Sequence, residues 1–148
     1  RARAPPGTTI DERCHGRRRD DQGDREVAMD ALQGLAAWNR ACQLTVETYK
    51  ALASCADSNF RDHVTRSSLA VPTRIADGYE RRSRPQFAEN LRAARGSCAE
   101  MRTQLYIAAD VGLLEAGTAH RLIAEALQVS KMLQTLIARC EHQGAPRE

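Results

Sequence analysis

The residues whose type and spacing suggest chemistry are arginines. Arg74, Arg81, Arg82 and Arg84 cluster around a polar corner at Ser83. Arg92, Arg95 and Arg102 follow, and with 3.6 residues per helical turn they fall within roughly 80° of one another. A guanidinium strip of this kind contacts phosphate oxygens, which holds a polynucleotide in place without reading its sequence. Glu80, Glu89, Glu100 and Asp110 lie among these arginines, so a solvated face laced with ion pairs is the competing use.

Little else in the chain points to a reaction. There is no phosphate-binding loop, GxGxxG, HExxH or paired CxxC motif. Glu12 and His15 make the Glu-x-x-His spacing, but a di-iron bundle needs two such motifs and two further inward carboxylates. Cys140 and His142 are two positions apart and point to different faces of a helix. His63 and His120 have no evident partner and read as surface residues. The expectation is a protein that is not an enzyme and that uses no metal or cofactor.

The chain has 148 residues and a formal charge of +3, which permits an acidic partner without requiring one. No apolar run is long enough to span a membrane. Five cysteines, an odd number with no short paired spacing, make a poor disulfide framework. Cys42, Cys98 and Cys140 fall on apolar helix positions and read as buried free thiols in a reducing cytoplasm.

The elements that must carry the arginines are helices. Only six aromatics occur, one Trp, three Tyr and two Phe, so alanine and leucine fill most of the interior. Residues 1–28 mix Arg-rich and acidic stretches without periodicity and read as a tail, with Met29 as the natural start. Helix one is expected over 30–55 with the stripe Leu35, Trp38, Cys42, Thr45, Tyr49 and Leu52. Ala56–Asn59 is a turn with a ready N-cap. Helix two, from Phe60, continues through Val64, Val71, Ile75 and Tyr79, and Gly78 either ends it or lets it run to Arg82. Ser83 and Gln86 form a capping-box signature for helix three, which carries Phe87, Leu91, Ala94, Cys98, Met101, Leu105 and Ala108 as a and d positions. Gly112 ends it. Helix four carries Ala119, Leu122, Ala126, Val129, Leu133, Leu136 and Cys140 and runs to about His142, leaving 143–148 as a second tail. The spacing predicts an all-α, antiparallel, up-down-up-down four-helix bundle over 29–142.

Pro72 and Gly96 interrupt this regularity. Folded about Ser83, both sit about 18 Å from the corner. A kink at Pro72 is therefore expected to face Gly96, where a missing side chain permits close approach.

The same segments resemble a known family. VPTRIADGYERRS, with Pro72, Ile75, Ala76, Asp77 and Gly78, resembles the signature SIPxNIAEGxxR. RGSCAEMRTQL, with Gly96 and Ser97, resembles GSxxELxTQL, and LAAWNRACQL resembles an N-terminal motif centred on Trp38. Both signatures belong to the four-helix bundle proteins also called 23S ribosomal RNA intervening-sequence proteins. The resemblance covers about 29–140. Ala70, Arg74 and Asp77 stand where the signature has Ser, Asn and Glu. The resemblance implies a left-handed bundle, assembly into a ring-like homopentamer, and a biochemical role that is not established for the family. The accessory protein of diversity-generating retroelements is similar in fold and binds nucleic acid and a reverse transcriptase.

Independently of that resemblance, Leu44, Tyr106, Ile107 and Leu127 fall outside the bundle seam and are expected to form a subunit interface. The expected function is thus a homo-oligomeric binding or scaffold protein that contacts RNA or DNA through Arg74–Arg102. The alternative is a protein-interaction adaptor with no nucleic-acid contact.

Overall fold

A computed structural model describes residues 35–142; the expectations for the two tails and for Met29 lie outside the described residues. Among the described residues there are four helices: α1 (Ala36–Ala51), α2 (Ser58–Glu80), α3 (Arg84–Asp110) and α4 (Ala116–His142). No strand occurs among the described residues. Each helix packs on two others in a closed cycle, α1 on α2, α2 on α3, α3 on α4 and α4 on α1, with no close backbone approach across either diagonal. Cross-helix pairs give the direction. Arg92 meets Glu141, Arg95 meets Gln134 and Tyr106 meets His120, so α3 rises as α4 falls. The result is an antiparallel four-helix bundle.

Local sequence explains the helix ends. The Asp57 carboxylate accepts from the Phe60 backbone N–H at 2.9 Å and caps α2. Helix α2 passes through Gly78 and stops at Glu80, and Arg82 takes the left-handed turn with φ 51°. Ser83 makes no side-chain cap, so the expected capping box is not formed; Ser83 begins α3 through its backbone carbonyl, which accepts from Phe87 at 2.8 Å. At the far end of α3, Leu113 N–H donates to the Ala108 carbonyl at 2.8 Å and Gly112 N–H to Ala109 at 3.2 Å, around Gly112 with φ +75°. This is a Schellman motif, which requires the left-handed residue that glycine supplies. Glu115 then caps α4, accepting from the backbone of Gly117 and Thr118 at 2.7 Å, and these bonds hold its carboxyl below the usual range.

The core follows the heptad stripes of α3 and α4. Leu91, Ala94, Cys98, Met101, Leu105 and Ala108 are buried, as are Ala119, Leu122, Ala126, Val129 and Leu133. Ile137, rather than Leu136, closes the lower end.

Helix α1 departs from expectation. Its buried face is Ala37, Ala41, Leu44, Thr45 and Thr48, rotated by about one position from the stripe through Trp38, Cys42 and Tyr49. Tyr49 is exposed, and Trp38 and Cys42 are half-buried. Leu44 is 4% exposed and lies in the core, so it is withdrawn from the expected subunit interface. Small residues take the seat because α1 lies close to α2, where Thr65, Ser67 and Ser68 are also buried.

Hydroxyls at this seam bond back to their own helices: Thr48 to Leu44 at 2.7 Å, Thr65 to Arg61 at 2.9 Å and Ser67 to His63 at 3.0 Å. Thr45 does more. Its hydroxyl lies 2.9 Å from both the Ala41 carbonyl and the Ser68 carbonyl of α2. Ser68 is four residues before Pro72, and proline has no N–H to give to that carbonyl. The hydroxyl of one helix thus meets the acceptor that Pro72 releases in the next.

Gly96 does not face Pro72. It is exposed on α3, and a Cβ there would meet nothing within 4 Å. Height above the corner is right but azimuth is not. Gly96 is two residues from both Ala94 and Cys98, which are buried, so it points away from the core. Gly96→Ala is therefore expected to raise stability by about 0.5–1 kcal/mol, the difference in helix propensity, measured by urea unfolding. The glycine that permits close approach is Gly78, where a Cβ would lie 2.6 Å from Asn90 Cβ and 3.1 Å from Phe87 Cδ2.

Candidate nucleic-acid interface

The structure divides the expected arginine cluster in two. Arg74 and Arg81 are on the α2 side, and Arg82 is in the corner. Arg81 is occupied by Asp77, its own neighbour one turn back, at 3.2 and 3.4 Å. Arg92, Arg95 and Arg102 extend along the α4 side of α3, and the α2 and α4 backbones do not approach closely. Arg84, at the start of the same strip, is near enough to Cys140 of α4 to act on its thiol.

Within the α3 strip the arginines differ. Arg92 pairs with Glu141, and Arg95 donates to Gln134. Arg102 has neither a hydrogen bond nor an ion pair among the described residues, and its side chain is half-buried. The Nε atoms of Arg95 and Arg102 are both shut from water with no acceptor.

Cys98 lies beneath these two side chains and is fully buried. Burial pushes its thiol up to about 11, against the pull of Arg102 and Arg95. A thiol so raised has a negligible thiolate fraction at neutral pH, which makes Cys98 a packing residue. The four cysteines among the described residues are free. Cys55 and Cys98 are buried, whereas Cys42 and Cys140 are only half-buried, contrary to the expectation for them.

One turn beyond Arg102, Tyr106 is 53% exposed. The His120 ring approaches it from α4, with centroids 6.4 Å apart and planes at 62°. His120 had no evident partner in the sequence; the antiparallel register of α3 and α4 supplies one. Ile107 is exposed beside Val111, and Leu127 of α4 is also exposed.

The signature residues do mostly structural work. Pro72, Ile75, Gly78 and Ser97 are buried, and Trp38 and Ala76 are half-buried. They set the α1–α2 seam and the α2–α3 hairpin from which the arginine strip extends.

The α1–α4 seam carries the other charged groups. Glu125 is held below the usual carboxylate range chiefly by its hydrogen bond from Arg40, at 3.0 Å. A cleft of about 410 Å³ beside it is lined by Glu47, Lys50, Ser54, Glu115, Thr118 and Arg121. In it the Thr118 hydroxyl donates to Glu115 at 2.8 Å, but that carboxylate is held by the backbone it caps at the start of α4. No group of three or more His, Cys, Asp or Glu side chains able to hold a metal occurs among the described residues. No helix among them is long and apolar enough to cross a membrane.

Residues 33–135 match the family model described as 23S rRNA-intervening sequence protein. No curated protein matches the chain.

Proposed function

Because the chain belongs to the 23S rRNA-intervening sequence protein family, a family of unknown role, we propose that it is a non-enzymatic, homo-oligomeric binding or scaffold protein whose α3–α4 face meets the phosphate backbone of RNA. The observation that carries this reading is the strip Arg92, Arg95 and Arg102 on α3, in which Arg92 meets the acidic Glu141 of α4 and Arg95 the neutral Gln134. Such a surface attracts polyanions by counterion release and is sequence-tolerant. The exposed apolar residues Val46, Tyr49, Leu69, Ile107, Val111 and Leu127 support self-association. In a homopentamer, the assembly that the resemblance implies, each arginine strip would repeat, and weak contacts would sum. Four free cysteines among the described residues suit a reducing compartment such as the cytoplasm.

The test is titration of labelled single-stranded RNA over a range of salt concentrations. Replacing Arg92, Arg95 and Arg102 together by alanine is expected to weaken binding. It should also flatten the salt dependence by about 0.7 in log–log slope for each phosphate that is no longer neutralised. The matched Arg74/Arg81/Arg82 variant is expected to change less, because those residues lie on α2 and in the corner rather than along the α3 strip. Unchanged affinity and slope in the first variant would overturn the RNA reading. Co-purification of a protein that survives nuclease treatment would then favour an adaptor role.

A further inference from the structure

We propose that Arg102, Tyr106 and His120 form a platform for one unpaired nucleotide, with its phosphate on Arg102 and its base stacked on Tyr106. This rests on the RNA reading and adds to it a preference for single strands.

Arg102 is the arginine of α3's strip that makes neither a hydrogen bond nor an ion pair among the described residues. Its neighbours Arg92 and Arg95 find Glu141 and Gln134 on α4, while Arg102 finds nothing, and its Nε is closed off from water without an acceptor. A half-buried guanidinium costs desolvation that no internal acceptor offsets. An anion arriving from solution would meet the terminal Nη donors rather than the closed-off Nε, and phosphate suits the charge of the guanidinium.

Tyr106 stands one turn further along the same face, with Cβ atoms of such i,i+4 pairs about 5–6 Å apart. That separation is comparable to the step from a nucleotide's phosphate to its own base. Tyr106 is 53% exposed although it is an aromatic on a helix already packed on both flanks. The His120 ring restrains the tyrosine from across the seam without covering it. A restrained, open ring beside an unpaired cation gives a base a surface to stack on while its phosphate is held. A duplex cannot use it, because its bases are stacked inside. The site therefore takes an unstacked base with its phosphate, as in single-stranded RNA.

The experiment compares labelled oligouridine with an RNA duplex of the same length on the intact chain, by fluorescence anisotropy. The wild type is expected to prefer the single strand. Tyr106→Ala should weaken single-strand binding by about tenfold, leave duplex binding unchanged, and be rescued by Tyr106→Phe. Arg102→Gln should weaken binding to both. Light scattering is expected to give Tyr106→Ala the same mass as the wild type. Equal wild-type affinity for single strand and duplex, or a Tyr106→Ala variant that binds oligouridine within twofold of the wild type, would overturn the platform and leave the backbone reading standing. A smaller particle mass for Tyr106→Ala would assign the residue to a subunit contact and would also overturn it. Absence of binding to either RNA would remove both.

Discussion

Gly78→Ala is expected to lower the free energy of unfolding by about 2 kcal/mol, even though alanine is the better helix former by about 1 kcal/mol. The added methyl would sit 2.6 Å from Asn90 Cβ and 3.1 Å from Phe87 Cδ2, both on α3. The closest of these is a backbone-anchored carbon, not the end of a flexible chain, so the helices themselves must separate. They have little freedom to do so. Only Arg81, Arg82 and Ser83 join α2 to α3, and Arg82 is already in the left-handed region. Tyr79 and Phe87, whose rings meet edge to face at 6.0 Å, would be drawn apart as the gap opens. Gly78→Val should be worse than alanine, because branching at Cβ adds bulk where there is no room. Urea unfolding of the pair Gly78→Ala and Gly96→Ala is the informative measurement. The same substitution is expected to destabilise at the first site and stabilise at the second. Stabilisation at both would show that Gly78 does not set the distance between α2 and α3.

Thr45→Val is expected to cost about 1–3 kcal/mol, the range for leaving a buried polar group unsatisfied. The two side chains have nearly the same shape, so packing and helix propensity change little. What changes is the Ser68 carbonyl, which keeps no N–H donor within α2 because residue 72 is proline. Thr45→Ser keeps the hydroxyl and should cost less. A double-mutant cycle with Pro72→Ala isolates the effect. Alanine at 72 restores an N–H for the Ser68 carbonyl, so Thr45→Val should then be milder, with a coupling energy of about 1 kcal/mol. Additive losses would show that the Thr45 hydroxyl serves only Ala41 of its own helix.

The bundle was legible where one helix face held a continuous apolar stripe. The α3 and α4 stripes are unambiguous, and Leu91 to Ala108 and Ala119 to Leu133 are buried as spaced. Helix α1 was not, because it holds apolar residues at adjacent phases: Ala37 beside Trp38, Ala41 beside Cys42, Thr48 beside Tyr49. Hydrophobicity favours the larger residue of each pair, but close packing on α2 favours the smaller. Leu44 was misplaced by the same error of phase. Gly96 was matched to Pro72 on height alone, and its position off the α3 stripe was the signal for the opposite direction. The Gly78–Asn90 approach and the Thr45–Ser68 bond join residues on different helices, which no single-helix pattern shows. For the candidate site, the shared face of Arg92, Arg95 and Arg102 was read from spacing, whereas Arg84 was grouped with the Ser83 corner. Its partners on α4 did not, since they depend on the relative register of two helices. Glu141 and Gln134 decide which arginines are occupied, and His120 restrains Tyr106.

The closed cycle of helix neighbours has a topological consequence. Because α1 and α4 are adjacent and antiparallel, the start of α1 and the end of α4 share one pole with the Ser83 corner; Leu35 and Ala36 border the same cleft as Leu136 and Arg139. Among the described residues, the opposite pole has the turns 52–57 and 111–115. Chain order and spatial order are therefore the same ring, opened at one of its four links. Joining the ends across the first pole and cutting at 111–115 would give a circular permutant with the same four helix pairs. What defines this architecture is which helices adjoin, while the place where the chain begins is incidental to it.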